Sequence, residues 1–416
     1  MKLTRPRPAR SSRQDGQSMV MFVFFLVVLI LFTGLGIDLG FAYITKANLS
    51  KAVDAACLEG MLNANQGTVT ATAIAQSVFA ANYGRPGRDT GTVTPNIVMS
   101  FSPLGHRLVT VDATAQINTF FIRILPTWKR LSVKANAQAQ QRRLIMSLVL
   151  DRSGSMINDR GANVLPQAVT NFVGYFDDAN DYVSMNSFST WGRTDVTIRQ
   201  NFKSSITATA NVWMANLNAN FSGNTCSEQG FTNGLAQNQS IVVAPGDDVI
   251  KAIIFFTDGL ANGFKYTLNC GPRNISNSNG GRPTITDPLT GAVNSNGCTV
   301  PSTIPSIDPS YTGKANINTV SCGDMHDEAE ARAVALARQA RALGNIVYCV
   351  GLGNGFSECS RPALNPDFLK DMANTTDSPH YDPTQPVGLS LVADDPSDVQ
   401  PLFDQIRADI LLRLTQ

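Results

Sequence analysis

One stretch of the chain constrains where the rest of it can fold: residues 18–37, which contain no charged side chain over twenty positions. A helix of that length can cross the hydrocarbon core of a membrane, which is about 30 Å thick. The first fifteen residues carry five basic side chains and one acidic side chain. Because basic residues before a span favour a cytoplasmic N-terminus, we expect residues 1–17 to be a cytoplasmic segment and the remainder to lie outside the cytoplasm.

A cleaved signal peptide is the alternative interpretation of the same stretch. The apolar run is longer than the roughly 7 to 15 residues of a signal-peptide core, and no small-x-small exit precedes Asp38. We therefore expect an uncleaved, single-pass anchor, with Asp38 solvated at the membrane exit. Gly36 and Gly40 form a small-xxx-small pair that would allow helices to dimerise, giving a homo-oligomer; two glycines at a helix exit explain the pattern equally well.

Composition adds two constraints. Charged residues make up only 16% of the 416 residues and the net charge is +1, so no nucleic-acid partner is expected. Seven cysteines in an exported chain indicate disulfide bonds. An odd number leaves at least one thiol without an intramolecular partner, and we expect this to be Cys57, which lies far along the sequence from the other six.

The residues after the anchor predict a stem helix followed by a small sheet. Apolar residues recur at helical spacing, without proline, as far as Leu62, and a second helical pattern covers residues 70–83. Period-two alternation then predicts strands at 94–101, 107–117 and 131–138. We expect residues 38–141 to form a periplasmic stem and a pilin-like α+β domain, in which a long helix packs on a small antiparallel sheet.

From residue 142 to residue 416 the pattern alternates between strands and helices, which predicts a mostly parallel sheet covered on both faces. The predicted strands are 144–150, 182–188, 196–202, 249–256 and 345–350. The predicted helices are 164–176, 208–217, 228–236, 328–343 and 399–414. Residues 263–322 interrupt this pattern because they are rich in Gly, Asn, Ser, Thr and Pro and lack periodicity. We expect them to form an exposed insertion stapled by disulfides.

Six cysteines are disulfide candidates. Cys226, Cys270, Cys298 and Cys322 allow three pairings, and the sequence does not decide among them. Cys349 and Cys359 would form a bridge across a strand-to-helix loop. A buried free thiol at Cys349 is an equal alternative.

Two predicted strands end in turns that are rich in oxygen donors. The first strand is followed by Asp151, Ser153 and Ser155, and the strand at 249–256 is followed by Asp258. Ligands of open parallel sheets bind beyond the carboxyl ends of the strands. The four side chains would therefore converge if the two strands are neighbours.

A third loop carries a threonine that can reach the same place. Thr225 is the candidate, and Thr232 replaces it if the loop is drawn differently. Two carboxylates and three hydroxyls, without His or Cys, form a donor set that a hard cation prefers. We therefore expect a site for Mg²⁺, Mn²⁺ or Ca²⁺, at which an acidic residue of a protein partner takes a position otherwise left to water.

This donor pattern resembles the metal-ion-dependent adhesion site of von Willebrand factor type A domains. Asp151, Ser153 and Ser155 match the D-x-S-x-S loop, Thr225 matches the threonine loop, and Asp258 matches the aspartate before glycine. The order and spacing of the strands agree with the resemblance over residues 144–416. It implies a doubly wound sheet, a bound divalent cation and adhesion to a protein.

The first sixty residues carry a second resemblance. Residues 33–40, TGLGIDLG, and residues 49–56, LSKAVDAA, resemble the N-terminus of TadE/TadG-like proteins of bacterial tight-adherence (Flp) pilus assembly. Such an anchor joined to a type A domain is the TadG-like architecture. The resemblance implies a bacterial inner-membrane protein with its bulk in the periplasm or at the cell surface, and partners among pilus or secretion-system components. Gly16 is followed by Gln17 and no glutamate, so the pilin-type cleavage motif is not matched and a permanent anchor is favoured.

These features predict a membrane-anchored, metal-dependent protein-binding component of a Flp pilus assembly or surface-attachment system, and not an enzyme. A structural pseudopilin-like subunit with a passive type A domain is the first alternative; its turn residues would only cap helices. A Mg²⁺-dependent phosphoryl hydrolase using Asp151 is the second alternative. Such an enzyme would want a second aspartate where this chain has Ser153.

Overall fold

The computed structural model describes residues 15–64, 67–84, 91–102, 106–124, 128–277, 280–294, 296–353, 357–359 and 361–414. Most of the predicted cytoplasmic segment, residues 1–14, lies outside the described residues. The chain divides into two compact units. The N-terminal unit comprises the described residues up to 100 together with 107–140, and the C-terminal unit comprises 101–106 together with those from 141 onward.

A single long helix, α1 (Asp15–Leu62), opens the N-terminal unit and is followed by α2 (Thr68–Tyr83). Almost every side chain between positions 18 and 33 is exposed. This part of α1 is long and apolar enough to cross a membrane, with a mean hydropathy of 2.9 over an 18-residue window. From Leu49 onward the helix buries apolar side chains against α2 and the sheet. The predicted continuation of the apolar stretch into a stem helix is confirmed.

Three strands complete the N-terminal unit: β1 (Asn96–Phe101), β2 (Arg107–Asn118) and β3 (Arg130–Gln140), in the order β1-β2-β3. β2 and β3 are antiparallel. Every second side chain of β2 is buried, from Val109 to Ile117, which is the alternation that predicts a strand. The small α+β domain built on a long helix is therefore confirmed.

Asp38 of α1 is buried, with 2% of its surface exposed, so the prediction that it is solvated is wrong. Its carboxylate accepts hydrogen bonds from the N–H groups of Phe120, Phe121 and Ile122 at 2.8, 2.8 and 2.9 Å. The error arises because the donors lie in the β2–β3 connection, 82 residues later for Phe120. No local pattern shows that this loop returns to α1.

The C-terminal unit alternates strands and helices, as predicted. In chain order its elements are β4 (Arg143–Asp151), α3 (Ser155–Asn158), α4 (Gly161–Gly174), β5 (Tyr182–Phe188), β6 (Gly192–Arg199), α5 (Lys203–Ala215), α6 (Leu217–Asn220), α7 (Ser227–Ser240), β7 (Val249–Thr257), β8 (Gly263–Leu268), β9 (Gly271–Ser276), β10 (Thr284–Thr286), β11 (Thr303–Pro305), α8 (Pro309–Thr312), β12 (Asn316–Asn318), α9 (Cys322–Ala342), β13 (Asn345–Leu352), α10 (Pro366–Ala373), β14 (Ser390–Ala393) and α11 (Val399–Leu414). Each predicted strand and helix overlaps one of these. The sequence pattern does not predict the short elements α3, α6, α8, α10 and β14.

Six of these strands form one sheet in the order β14-β13-β7-β4-β5-β6. Neighbouring strands are parallel except for β5 and β6, so β6 is an antiparallel edge strand. Helices α4, α5 and α11 cover the face into which Leu148 points, and α7, α9 and α10 cover the face into which Val149 points. The predicted fold class, a doubly wound and mostly parallel sheet of the von Willebrand factor type A kind, is confirmed.

The predicted insertion has more regular structure than its sequence indicates. It contains two small antiparallel sheets, β8–β9–β10 and β11–β12. Phe264, Ile275, Ile304 and Ile317 contribute to an apolar cluster between them. Strands β10, β11 and β12 are three residues long, too short for alternation to be recognised.

Two disulfide bonds are present, Cys270–Cys298 and Cys322–Cys359, and Cys57, Cys226 and Cys349 are buried free thiols. The candidate bridge between Cys349 and Cys359 is therefore wrong, and so is the assignment of Cys226 as a disulfide partner. Cys349 lies within β13 and packs in the apolar layer under α9 and α10. Cys359 instead forms its disulfide bond with Cys322, the first residue of α9.

We expect Cys359→Ser to lower the free energy of unfolding by about 3 to 4 kcal/mol, because the bond closes a long loop in the unfolded chain. Its two cysteines are 37 residues apart in sequence. Cys349→Ala is the matched control, since it removes a buried thiol without removing a cross-link, and should cost about 1 kcal/mol. Urea unfolding under non-reducing conditions measures both. A Cys359→Ser protein as stable as the parent would contradict this pairing.

Candidate metal centre

The predicted donors follow two strands that are neighbours in the sheet. β4 and β7 are parallel, with Leu150 opposite Phe256, so Asp151 and Asp258 emerge at the same edge. β5 lies on one side of β4 and β7 on the other, which makes this edge the point where the strand order reverses. Ligands of doubly wound sheets bind in the crevice at such a point. Both aspartates are completely buried.

The two serines of the first loop lie against Asp258. The Ser155 hydroxyl donates to Asp258 Oδ1 at 2.8 Å and lies 2.9 Å from the Ser153 hydroxyl. Ser153 Oγ is 3.5 Å from the same Oδ1, at the outer limit of a hydrogen bond. Two hydroxyls from the loop after β4 therefore lie against one carboxylate oxygen from the loop after β7.

Asp151 is held by its own loop and by β7. Its Oδ1 accepts the N–H of Ser153 at 2.7 Å, and its Oδ2 accepts the hydroxyl of Thr257 at 2.6 Å. Thr257 is not among the predicted site residues; the signal that could have found it is its place directly before Asp258. Its hydroxyl fixes the orientation of the Asp151 carboxylate.

Thr225 belongs to the third loop and is almost fully buried. Asn262 holds it from two directions: its side-chain oxygen accepts the Thr225 N–H at 2.8 Å, and its own N–H donates to the Thr225 carbonyl at 3.0 Å. The N–H of Gly154 donates to the Gly223 carbonyl at 3.1 Å, which joins the first loop to the third. Gly223 has a φ of 90°, and a Cβ there would overlap the Thr190 hydroxyl, so this turn requires glycine.

The structure decides between the two candidate threonines. Thr225 lines a cavity of about 50 Å³ together with Ser155 and Asp258. Thr232 is exposed on α7, where its hydroxyl donates to the Glu228 carbonyl at 2.8 Å. Thr225 is therefore the residue at the site, and all five predicted donors lie at one edge of the sheet.

Three carboxyl groups lie close together at this edge. Asp258 Oδ2 is buried and has no hydrogen-bond partner among the described residues. Burial raises the pKa of Asp258 well above its usual range, and the neighbouring charges of Asp151 and Asp159 raise it further. Burial also raises the pKa of Asp151 to about 6 and raises that of Asp159. Ionisation of these groups is costly unless a cation compensates for it.

This chemistry fits a hard divalent cation. The five residues offer only oxygen donors, as Mg²⁺, Mn²⁺ and Ca²⁺ prefer, and no described residue donates a hydrogen bond to the buried Oδ2 of Asp258. The residues that could hold the ion are Asp151, Ser153, Ser155, Thr225 and Asp258. Asp159 adds a third carboxylate that no sequence motif marks, because it reaches the site only through the turn that α3 makes.

A group of two cysteines and a histidine, residue types that often bind metals, lies beside this cavity. The ligand atoms of Cys322, His326 and Cys359 are within 4.8 Å of one another, but the two sulfurs form a disulfide and are not available as thiolate ligands. His326 Nδ1 lies 2.7 Å from the Ala261 carbonyl oxygen, and its Nε2 lies 3.4 Å from Glu358 Oε2. Glu358 also lines the cavity, so this cluster holds a carboxylate at the rim of the site.

The order and direction of the strands define the class of the C-terminal unit: it has a von Willebrand factor type A fold. Residues 16–73 match the Tad family model, described as Flp pilus-assembly TadE/G-like. The chain therefore carries a TadE/G-like pilus-assembly domain at its N-terminus, as the sequence resemblance predicts. Among curated proteins, no match is found.

Several solved structures are similar to part of this chain in backbone structure. The PilB minor pilin from Streptococcus sanguinis is 16% identical over 78% of this chain and 79% of its own, with a TM-score of 0.43. The pilus adhesin SpaC from Lactobacillus rhamnosus GG is 16% identical over 80% and 36%, with a TM-score of 0.43. The vWF domain of the type V pili tip protein Mfa5 from Porphyromonas gingivalis is 14% identical over 66% and 97%, with a TM-score of 0.41. Likeness at this level carries no argument about function, and the fold rests on the sheet order of this chain.

We expect Mg²⁺ to stabilise the protein more at about pH 7.5 than at about pH 5. When folding raises the pKa of an acid, the folded state loses stability as pH rises from the pKa of the unfolded chain to the pKa of the folded protein. For Asp151 this range runs from 3.8 to about 6. A cation offsets that loss only where the carboxylates are ionised. Thermal unfolding with and without MgCl₂ at both pH values measures the difference.

The comparison with and without the ion separates the site from other buried acids. Burial also raises the pKa of Asp181 to about 7, but Asp181 accepts the N–H of Leu144 at the opposite end of β4. Its contribution should be the same with and without Mg²⁺. An Mg²⁺-induced shift in Tm that does not change between the two pH values would contradict carboxylate ligation at this edge.

Proposed function

We propose that this protein is a membrane-anchored component of a Flp pilus assembly or surface-attachment system, and that a divalent cation held by its type A domain binds an acidic side chain of a protein partner. The observation that carries the proposal is the convergence of five oxygen-donor residues from three loops, one of which, Asp258, keeps a buried oxygen without a hydrogen-bond partner in the described part of the chain. The pilus-assembly family match at the N-terminus supports the biological setting.

The donor set suits recognition of a carboxylate. Three of the five donors are neutral hydroxyls, so they offset the charge of the ion less fully than an all-carboxylate cage would. When bound, the ion supplies a coordination position to which a carboxylate from outside the chain can bind. The chain's own residues prepare the site: Thr257 orients Asp151, Asn262 holds Thr225, and Glu358 forms part of the rim.

The anchor supports the proposed compartment. The exposed apolar part of α1 is preceded by five basic residues, a charge asymmetry that favours a cytoplasmic N-terminus. The two disulfides of the C-terminal unit suit an oxidising compartment. We therefore place residues 38–141 as a periplasmic stem domain and residues 142–416 as a type A domain in the periplasm or at the cell surface of a bacterium, joined to the inner membrane by residues 18–37.

Substitution of the carboxylates tests whether the donors bind a cation. Asp151→Ala and Asp258→Asn should each abolish the stabilisation by Mg²⁺, which amounts to about 2.7 kcal/mol when the free ion is about a hundredfold above its Kd. Asp377→Asn is the matched control: it removes an exposed aspartate, 66% accessible, that lies outside the site. Thermal unfolding after EDTA treatment and re-addition of MgCl₂ gives the readout. Unchanged stabilisation in both site variants would show that the ion binds elsewhere.

Partner binding tests the function itself. We expect the detergent-solubilised full chain to retain a pilus or secretion-system protein from envelope extracts in Mg²⁺, to release it in EDTA, and to lose it on Asp258→Asn substitution. Asp377→Asn should retain it. A partner that is retained equally in EDTA and by Asp258→Asn would favour a structural subunit with a passive type A domain, and the metal-dependent mechanism would be wrong.

A further inference from the structure

The connection between β2 and β3 exposes three large aromatic side chains. Phe120 is 57% exposed, Phe121 40% and Trp128 48%. We refer to residues 119–124 with 128–130 as the aromatic loop. Large apolar groups clustered on one surface of a folded unit mark an interaction site more often than chance exposure does.

The aromatic loop is fixed to one level of α1. The Asp38 carboxylate accepts three successive backbone N–H groups, from Phe120, Phe121 and Ile122, and hydrogen bonds to an ionised acceptor are among the strongest in proteins. One turn earlier on α1, a Cβ added at Gly34 would overlap the Phe121 ring. The absence of a side chain at Gly34 therefore lets this ring lie directly on the helix.

That level coincides with the end of the apolar stretch. Gly34 lies within residues 18–37 and Asp38 follows immediately after them. At a rise of about 1.5 Å per residue the stretch is about 30 Å long, and Gly34 is about 6 Å from Asp38 along the axis. If residues 18–37 span the hydrocarbon core, the Phe121 ring lies at its outer boundary, where aromatic side chains are enriched in membrane proteins.

Charge supports the same occupant. Arg123, Lys129 and Arg130 belong to the aromatic loop and are exposed, and residues 119–130 include no acidic residue. Basic side chains near a membrane surface are attracted to anionic lipid headgroups. Aromatic rings beside arginine and lysine are typical of a segment that lies in the headgroup region.

We infer that the aromatic loop is a lipid-binding surface, seated in the headgroup layer on the outer face of the membrane that α1 crosses. Phe120, Phe121 and Trp128 bury their rings at the boundary of the hydrocarbon core, and Arg123, Lys129 and Arg130 bind lipid phosphates. The N-terminal unit is thereby attached to the membrane at a second point besides the helix. This inference rests on the proposed membrane anchoring by α1.

The test uses the full chain in vesicles of phosphatidylethanolamine and phosphatidylglycerol that contain lipids with a nitroxide either near the headgroup or deep in the acyl chain. We expect Trp128→Phe to lose most of the lipid-quenchable tryptophan fluorescence, and the lost component to be quenched more by the shallow nitroxide than by the deep one. Trp191→Phe is the matched control and should lose none of it, because Trp191 is not part of the aromatic loop and its indole packs on Gly291.

The outcomes separate failure of this inference from failure of the anchor. If the chain floats with the vesicles but the Trp128→Phe protein is quenched as much as the parent, the aromatic loop is not in the lipid and the inference is overturned. A Trp128 component shielded from both nitroxides and from aqueous iodide would also overturn it, since a protein then covers the loop. Stronger quenching by the deep nitroxide would refute the headgroup placement. A chain that does not float at all refutes the anchor and this inference with it.

Discussion

Two carboxylates, Asp151 and Asp258, are buried at the ends of adjacent parallel strands, and the three surrounding loops offset the cost of that burial. Like charges repel strongly in an interior of low dielectric constant. Three of the four carboxylate oxygens accept a hydrogen bond, from Ser153, Thr257 and Ser155, while Asp258 Oδ2 has no partner among the described residues. This oxygen belongs to a carboxylate that lines the cavity with Ser155 and Thr225, so the arrangement favours a site that a cation completes.

The insertion is connected to this site by the residues where it begins. Asn262 holds both backbone groups of Thr225, and the carbonyl of Ala261 lies at hydrogen-bonding distance from His326, which in turn faces Glu358. The residues that leave β7 therefore position a donor on one side of the cavity and a carboxylate on the other. The insertion contacts this region directly: Asn277 donates its N–H to the Asn262 carbonyl at 3.0 Å, and the Asn224 side chain donates to the Ser276 hydroxyl at 2.6 Å. It therefore supports the loops of the proposed cation site.

The sequence predicts this molecule best where structure depends on local pattern. The long apolar strands β4 and β7 are correctly predicted, because periodicity is a local property, and the side chains that follow them at fixed spacings lie at one edge of the sheet. The contacts of Asp38, Asp159 and Glu358 could not be predicted from the sequence, since the residues they meet are distant along the chain. The disulfide partner of Cys322 could not be predicted either, because disulfide pairing depends on which loops meet in space. The strands of three residues are not predicted because they contain too few apolar positions to show a period.

The Cys322–Cys359 bond gives the proposed cation site a dependence on redox conditions that its oxygen donors do not share. It ties the residue next to Glu358 to the first turn of α9. Thiols stay reduced in the cytoplasm and are oxidised after export, so under the proposed topology this bond forms after the C-terminal unit has crossed the membrane. Folding alone brings the oxygen donors together, whereas the rim at Glu358 also needs oxidation of Cys322 and Cys359 to a disulfide. The proposed topology therefore couples completion of the rim to translocation: a chain retained in the cytoplasm would present the same five oxygen donors without the disulfide bond beside Glu358.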